Sequence, residues 1–214
     1  MELSAALDKL NSLLPLKASQ SSLEPKLREL HIAILTHFAT AGQALSRDQV
    51  AQLLGGADVD AALARLANDD LIVLSEDRLR IAGAYPFTAE ERMHAVLVNG
   101  HTIHAMCALD ALAIAPMFDT ATRIDSRCHV SNTPIEIRMQ GEELLTAKPG
   151  VARVGIHWQG THGCAAQSLC MEMVFLGDAE IAQRWQQQDS ENTDLFELPD
   201  AVRFAAAYFR PLLQ

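Results

Sequence analysis

Residues 46–81, SRDQVAQLLGGADVDAALARLANDDLIVLSEDRLRI, contain the capping and turn signals that decide the fold of the first part of the chain. Ser46, with Gln49 three residues later, has the pattern of a capping box at a helix start. Asp58 is a second residue of the type preferred at helix N-caps. Apolar residues at helical spacing follow each cap, so the pattern predicts two consecutive helices.

The segments on either side of these two helices complete a recognisable order. Before them, leucines and isoleucines recur at helical spacing from Pro25 onward. After them, two short apolar runs at 71–74 and 79–81 flank a polar turn and indicate a hairpin. Three helices and a hairpin are typical of a winged helix-turn-helix. We therefore predict that residues 1–84 form a winged-helix-like domain.

The charges on the third helix argue against DNA binding by this domain. Asp58, Asp60, Asp69 and Asp70 accompany one basic residue, Arg65. A recognition helix needs hydrogen-bond donors for bases and cations for phosphates. The whole chain also carries a formal net charge of −10, which repels nucleic acids and anionic membranes. We expect a structural role for this domain, and neither nucleic acid nor membrane as a partner.

The second part of the chain, residues 85–214, mixes both periodicities and begins at a Tyr-Pro-Phe joint. The patterns predict strands at 94–98, 123–129, 134–139 and 151–158, and helices at 88–91, 105–112, 179–188 and 201–209. The segment 169–176 fits either a strand or a buried helix. The expected fold class is α+β, with a small mixed sheet domain covered by helices and carrying the cysteines.

Composition limits the classes of protein to which the chain can belong. It has 214 residues, of which 49% are apolar and 21% charged, enough to bury a core. The longest apolar run is far too short to cross a bilayer, and the first residues do not resemble a signal peptide. We therefore expect a cytoplasmic protein, in which the four cysteines, Cys107, Cys128, Cys164 and Cys170, are thiols rather than disulfides.

Few residues offer chemistry, because the sequence has no phosphate-binding loop, zinc-protease motif or nucleophile elbow. Cys107 and Asp110 are three residues apart, which in a helix places a thiol and a carboxylate on one face. Such a carboxylate can accept the thiol proton or deliver it to a bound group. The alternative is a cysteine in the core and a solvent-facing aspartate, and a packing role is equally open for Cys170. Cys164 lies among small residues in an expected loop.

Taken together, these residues resemble the bacterial organomercurial (alkylmercury) lyases. The resemblance rests on C-A-L-D at 107–110, on S-R-C-H at 126–129, and on Cys170 followed by V-F-L-G and a helix with Trp185. The helical, winged-helix-like first part also matches. The resemblance covers residues 25 to 200 approximately. One departure is Met171, where members of the family often have a second cysteine directly after the catalytic one.

The resemblance implies cleavage of the carbon–mercury bond of R–Hg⁺ to give the hydrocarbon R–H and Hg(II). Carried over by position, Cys107 and Cys170 are the mercury-binding thiols, and Asp110 handles the proton and lies at the metal. Cys128 matches a cysteine regarded as structural. Soft thiolates suit soft mercury, and no further cofactor is implied. Low-molecular-weight thiols or a mercuric reductase would accept the Hg(II).

Two alternatives follow from the same residues. The altered neighbourhood of Cys170 fits a relative that binds a soft metal without cleaving bonds. The predicted winged-helix-like domain fits a metal-responsive regulator, although its acidic third helix argues against that function.

Overall fold

The computed structural model describes residues 2–158 and 164–214. The described helices are α1 (Leu3–Leu13), α2 (Leu16–Ser21), α3 (Pro25–Ala41), α4 (Arg47–Leu54), α5 (Val59–Asn68), α6 (Ala108–Phe118), α7 (Ala179–Gln186) and α8 (Leu198–Phe209). The strands are β1 (Val73–Leu74), β2 (Ile81–Ala84), β3 (Phe87–Thr88), β4 (His94–Val98), β5 (His101–Ala105), β6 (Ala121–Arg127), β7 (Pro134–Gln140), β8 (Glu143–Lys148), β9 (Arg153–His157), β10 (Met173–Leu176) and β11 (Thr193–Glu197). Short 3₁₀ helices cover Ala165–Gln167, Leu169–Glu172 and Arg210–Leu213.

The strands form two sheets, and the predicted α+β class is confirmed. The larger sheet has eight strands in the order β1-β2-β3-β5-β4-β6-β7-β8, and the smaller has the order β10-β9-β11. The sequence predicted a sheet of mixed strand directions, but all described strand pairings are antiparallel. The reason is local: hairpins join many of the strands, as at Asn99–Gly100, where both residues have positive φ.

The predicted caps of the first part are confirmed. The Ser46 hydroxyl accepts the Gln49 amide at 3.2 Å, and the Gln49 side chain accepts the Ser46 amide at 2.8 Å. The Asp58 carboxylate accepts two amides at the start of α5. The predicted hairpin is also present, with Val73–Leu74 paired to Ile81–Ala84, later in the sequence than the apolar runs suggested. The winged-helix-like topology itself stays a prediction.

The larger sheet runs across the predicted boundary between residues 84 and 85. Ala84 in β2 pairs with Phe87 in β3, and Phe87 in turn pairs with Ala105 in β5. The helix predicted at 88–91 is wrong, because Thr88 belongs to β3 and its hydroxyl accepts the Glu90 amide in a turn. The hairpin of the first part therefore extends the sheet of the second, and the two-domain division stays a prediction.

The helix α6 lies at the centre of the molecule. Ten of its residues, from Ala108 to Met117, are buried, so this helix is covered on all sides. It contacts β4, β5 and β6 of the larger sheet, β10 of the smaller sheet, and α8. Among the helices in the described residues, none combines the length and hydropathy needed to span a membrane. The contacts of α6 with both sheets hold its first turn in the core, between the two sheets.

We expect Ser46→Ala to lower the free energy of unfolding by about 1 kcal/mol, because it removes the hydroxyl that accepts an amide at the start of α4. Urea denaturation followed by circular dichroism measures this. Ser46→Asp keeps an acceptor at the same place and is the matched control, with stability near that of the wild type. Equal losses in both variants would contradict a capping role for Ser46.

Candidate functional site

Three side chains named from the sequence meet at the first turn of α6. Cys107 directly precedes this helix, Asp110 lies in its first turn, and Cys170 lies in the 3₁₀ helix Leu169–Glu172 just before β10. One ligand atom from each, two sulfurs and a carboxylate oxygen, lie within 4.8 Å of one another. In the part of the chain that the structure describes, this is the one such group of three or more potential metal ligands.

The approach of Cys107 to Asp110 comes from helix capping. The predicted helix at 105–112 begins late: Ala105 ends β5, and Cys107 is the N-cap of α6, with extended backbone angles of φ −148° and ψ 179°. Its sulfur accepts the Asp110 amide at 3.3 Å. The three-residue spacing therefore works as the spacing of an N-cap to its third helical residue, not as two positions on one helix face.

Burial rules out the alternative in which Asp110 faces solvent. Its side chain and both thiols are buried, with relative exposures of 1% for Asp110, 2% for Cys107 and 4% for Cys170. The Oδ2 atom of Asp110 has no hydrogen-bond partner among the described residues. A buried polar atom without a partner costs free energy, so stability alone does not explain a carboxyl at this position.

The environment sets the pKa of Asp110 near neutral pH. Burial is the main cause and raises this pKa to about 7, while hydrogen bonds from Cys107 and Cys170 offset part of the rise. A carboxyl group with a pKa near 7 can both take and return a proton under neutral conditions. Asp110 therefore has the property expected of a group that transfers a proton.

Both thiols are held in the neutral form. Burial, together with the hydrogen bond to Cys170 and the charge of Asp110, raises the pKa of Cys107 well above its usual value. The hydrogen bond from Cys107 lowers the pKa of Cys170, but burial and the charges of Asp110, Asp70 and Cys164 raise it on balance. Neither thiol ionises by itself at neutral pH, so ionisation requires a cation or a base. A soft cation bound to sulfur supplies that charge.

A cavity of about 230 Å³ leads to Cys170. Its lining is largely apolar and includes four methionines, Met93, Met106, Met171 and Met173. The Met173 sulfur lies 3.8 Å from the Cys107 sulfur, and Met171 is 52% exposed. The cavity thus gives an apolar group access to the Cys170 thiol, past soft thioether sulfurs.

The other two cysteines have different surroundings. Cys128, which lies in the predicted strand 123–129, is buried but follows the end of β6 and lies outside the three-ligand group. Cys164 is partly buried, and its sulfur contacts Asp70 and Tyr85. Residues 161–163, which precede it, lie outside the described residues.

Sequence reasoning missed the residues that surround the two thiols. The sequence gives no functional signal for Met106 and Met173, because a methionine near an apolar run predicts only a packing role. In the sequence, Tyr85 belongs to the Tyr-Pro-Phe joint, and Asp70 counts only among the acids of the third predicted helix. No spacing rule connects them to Cys170, so only their contacts in the fold identify them.

Comparison with known families supports the resemblance. The family model for the alkylmercury lyases (MerB) matches residues 87–210, which is more than half of the chain and includes all three site residues. Curated alkylmercury lyases are similar in parts. The one from Bacillus cereus is 26% identical over 95 residues, which are 44% of this chain and 44% of the relative. The one from Streptomyces lividans is 22% identical over 151 residues, 71% of this chain and 69% of the relative. The match thus spans less than half of the Bacillus relative's length.

A solved structure has the same fold over most of its length. The crystal structure of the mercury-bound form of MerB2 superposes with a TM-score of 0.79, covering 93% of this chain and 98% of that chain. The two sequences are 20% identical, so this likeness is one of fold.

We expect Asp110→Asn to gain stability over the wild type as the pH rises. The folded protein has a pKa of about 7 at Asp110, against 3.8 for an unperturbed group, so it binds the extra proton between these values. The neutral Asp110 carboxyl therefore adds to the free energy of unfolding of the wild type at low pH, and this contribution is lost as the pH rises through about 7. The loss, which the Asp110→Asn variant does not suffer, is about 2–4 kcal/mol.

Urea denaturation of both proteins from about pH 4 to about pH 8 measures this difference. Asp125→Asn, on the more accessible Asp125 of β6, is the control. A constant difference between the Asp110→Asn variant and the wild type across this range would contradict the raised pKa.

Proposed function

Since the chain belongs to the alkylmercury lyase family, we propose that it cleaves the carbon–mercury bond of organomercurials R–Hg⁺ by protonolysis. The products are the hydrocarbon R–H and Hg(II) held by protein sulfur. The observation that carries this proposal is the buried group of two thiols and one carboxyl within 4.8 Å, with the pKa of Asp110 raised to about 7.

The first step is the capture of mercury by sulfur. An organomercurial arrives bound to a carrier thiol, and one protein thiol replaces that thiol at mercury. The protein thiol loses its proton and the departing carrier gains one, so the exchange is balanced. Thiolate is the natural ligand for a soft cation, and Cys170 borders the cavity from which R–Hg⁺ arrives.

The second step activates the carbon. As the other thiol binds mercury, Asp110 accepts its proton, for which it is placed by its hydrogen bonds with Cys107 and Cys170. Two sulfur donors push electron density through mercury onto the carbon, which makes the carbon more basic. The carbon–mercury bond then breaks as Asp110 returns the proton to carbon. The start of α6 favours the negative charge left on the Cys107 sulfur.

The walls of the site favour this proton transfer. Little water reaches three side chains of which at most 4% is exposed, so the proton on Asp110 is kept for the carbon. The apolar cavity receives the organic group R. Two sulfurs and one proton donor complete the chemistry, so we propose no additional cofactor, with low-molecular-weight thiols as acceptors of Hg(II).

We expect Cys107→Ser and Cys170→Ser to abolish hydrocarbon release, because a hydroxyl is a poor ligand for mercury. Asp110→Asn should slow release by about 10²-fold or more, since it removes the proton carrier. Headspace gas chromatography of methane from methylmercury, or benzene from phenylmercury, measures all three with reduced protein and excess thiol.

Cys128→Ser is the matched control, because it also removes a buried thiol but lies outside the three-ligand group. It should retain release as long as circular dichroism shows the fold intact. Normal release by Cys107→Ser or Cys170→Ser would contradict the proposal. Tight binding of Hg(II) by the wild type without any hydrocarbon would leave a mercury-binding protein instead.

We expect kcat/KM to fall as the pH drops below about 7, by up to tenfold per unit, because the free protein needs ionised Asp110 to accept a thiol proton. Initial rates of hydrocarbon release between about pH 5 and about pH 9 measure the profile. The residual activity of Asp110→Asn should lack this limb. The same fall in kcat/KM at low pH in that variant would show that a group other than Asp110 ionises.

A further inference from the structure

A second thiol and carboxylate lie in contact beside the site described above. Cys164 and Asp70 come from distant parts of the chain, the first following the undescribed segment and the second following α5. The Cys164 thiol donates to Asp70 Oδ1 at 3.3 Å. Thiol beside carboxylate is the same pairing as Cys107 with Asp110, but here both residues are partly exposed.

The carboxylate of this pair is held in place on both oxygens. The hydroxyl of Tyr85 donates to Asp70 Oδ1 at 3.1 Å, and the amide of Ala165 donates to Oδ2 at 3.0 Å. The Tyr85 hydroxyl also lies 3.6 Å from the Cys164 sulfur and accepts the Ala166 amide at 2.8 Å. Asp70 is thus aimed at the thiol and positioned to take its proton.

Tyr85 connects this pair to the buried site. Burial raises the pKa of Tyr85, and the charges of Cys170, Asp70 and Cys164 add to the rise. Along the chain, Cys164 and Cys170 are joined by the two short 3₁₀ helices Ala165–Gln167 and Leu169–Glu172. Cys164 is therefore a neighbour of the three-ligand group without belonging to it.

Cys164 is more accessible to external thiols than the two buried cysteines. Cys107 and Cys170 are 2% and 4% exposed, whereas Cys164 is partly exposed, which makes it the most accessible of the four cysteines. Hg(II) on the buried pair is held by two sulfurs of low exposure and offers little surface to an external thiol. A more accessible thiol, six residues before Cys170, offers mercury a further sulfur on its way to an external thiol.

Resting on the proposed function, we propose that Cys164, with Asp70 as its base, is a third mercury-binding thiol that takes Hg(II) from the buried pair and passes it to external thiols. In the exchange a bond from mercury to Cys164 sulfur forms and the bond to Cys107 sulfur breaks. Asp70 takes the Cys164 proton and releases it to solvent, from which the freed Cys107 thiolate gains one. No atom is oxidised or reduced.

The test follows mercury transfer from protein loaded with one equivalent of HgCl₂ to glutathione, using rapid gel filtration and mercury analysis. An intramolecular thiol acts at an effective concentration on the order of 1 mM, so with about 0.1 mM glutathione Cys164→Ser should transfer about tenfold more slowly than the wild type. With about 10 mM glutathione the difference should disappear. Cys128→Ser removes a different thiol and should behave as the wild type.

Two variants separate mercury binding from a structural role of the Asp70 contact. Serine at position 164 keeps a donor to Asp70, whereas Cys164→Ala removes it. Slow transfer by both variants supports the proposal. Slow transfer by alanine alone, or wild-type transfer by both, overturns it. In the wild type alone, a transfer rate that rises less than proportionally between about 0.1 mM and about 10 mM glutathione supports the relay, and strict proportionality over that range overturns it.

The two proposals fail separately in this design. The transfer assay starts from HgCl₂ and needs no bond cleavage. Absence of hydrocarbon from R–Hg⁺ with the wild type contradicts the lyase activity alone. Normal hydrocarbon yield, with transfer unchanged in Cys164→Ser, contradicts the relay alone.

Discussion

The hydrogen bond from the Asp110 amide to the Cys107 sulfur is the contact on which the site depends. This bond caps the start of α6, just after β5, and so places the Cys107 thiol beside the Asp110 carboxylate. Because α6 is covered on all sides, the pair formed at its first turn cannot reach solvent. The raised pKa of Asp110 follows from that burial, and the proton transfer that we propose for this carboxyl depends on that pKa.

The remaining parts of the site reach this pair from the smaller sheet. Cys170 is presented by a short 3₁₀ helix just before β10, and Met173 begins that strand with its sulfur 3.8 Å from the Cys107 sulfur. The surroundings of the two thiols are therefore apolar and rich in sulfur, which suits a soft cation bearing an organic group. In such surroundings the thiols ionise only with help from a bound cation or from a base such as Asp110.

The first part of the chain takes part in this arrangement. Its hairpin is continuous with the larger sheet, and Asp70 before the hairpin and Tyr85 directly after it both contact Cys164. Buried contacts also join the chain ends, since the Gln20 side chain donates to the Leu212 carbonyl at 2.7 Å. The first part of the chain, which the sequence pattern predicts to be a separate domain, thus contributes contacts beside Cys164.

Local signals in the sequence determined the caps at Ser46 and Asp58, most helices and strands, and the α+β class, because each depends on residues a few positions apart. The motif C-A-L-D and the later Cys170 indicated the family and named the three side chains, although the capping role of Cys107 was not visible. The tertiary structure alone decided that Cys107 and Cys170 meet, that Asp110 is buried, and that Asp70 lies against Cys164. These facts depend on which strands pair and which helix is covered, and residues far apart in the chain determine such contacts by packing.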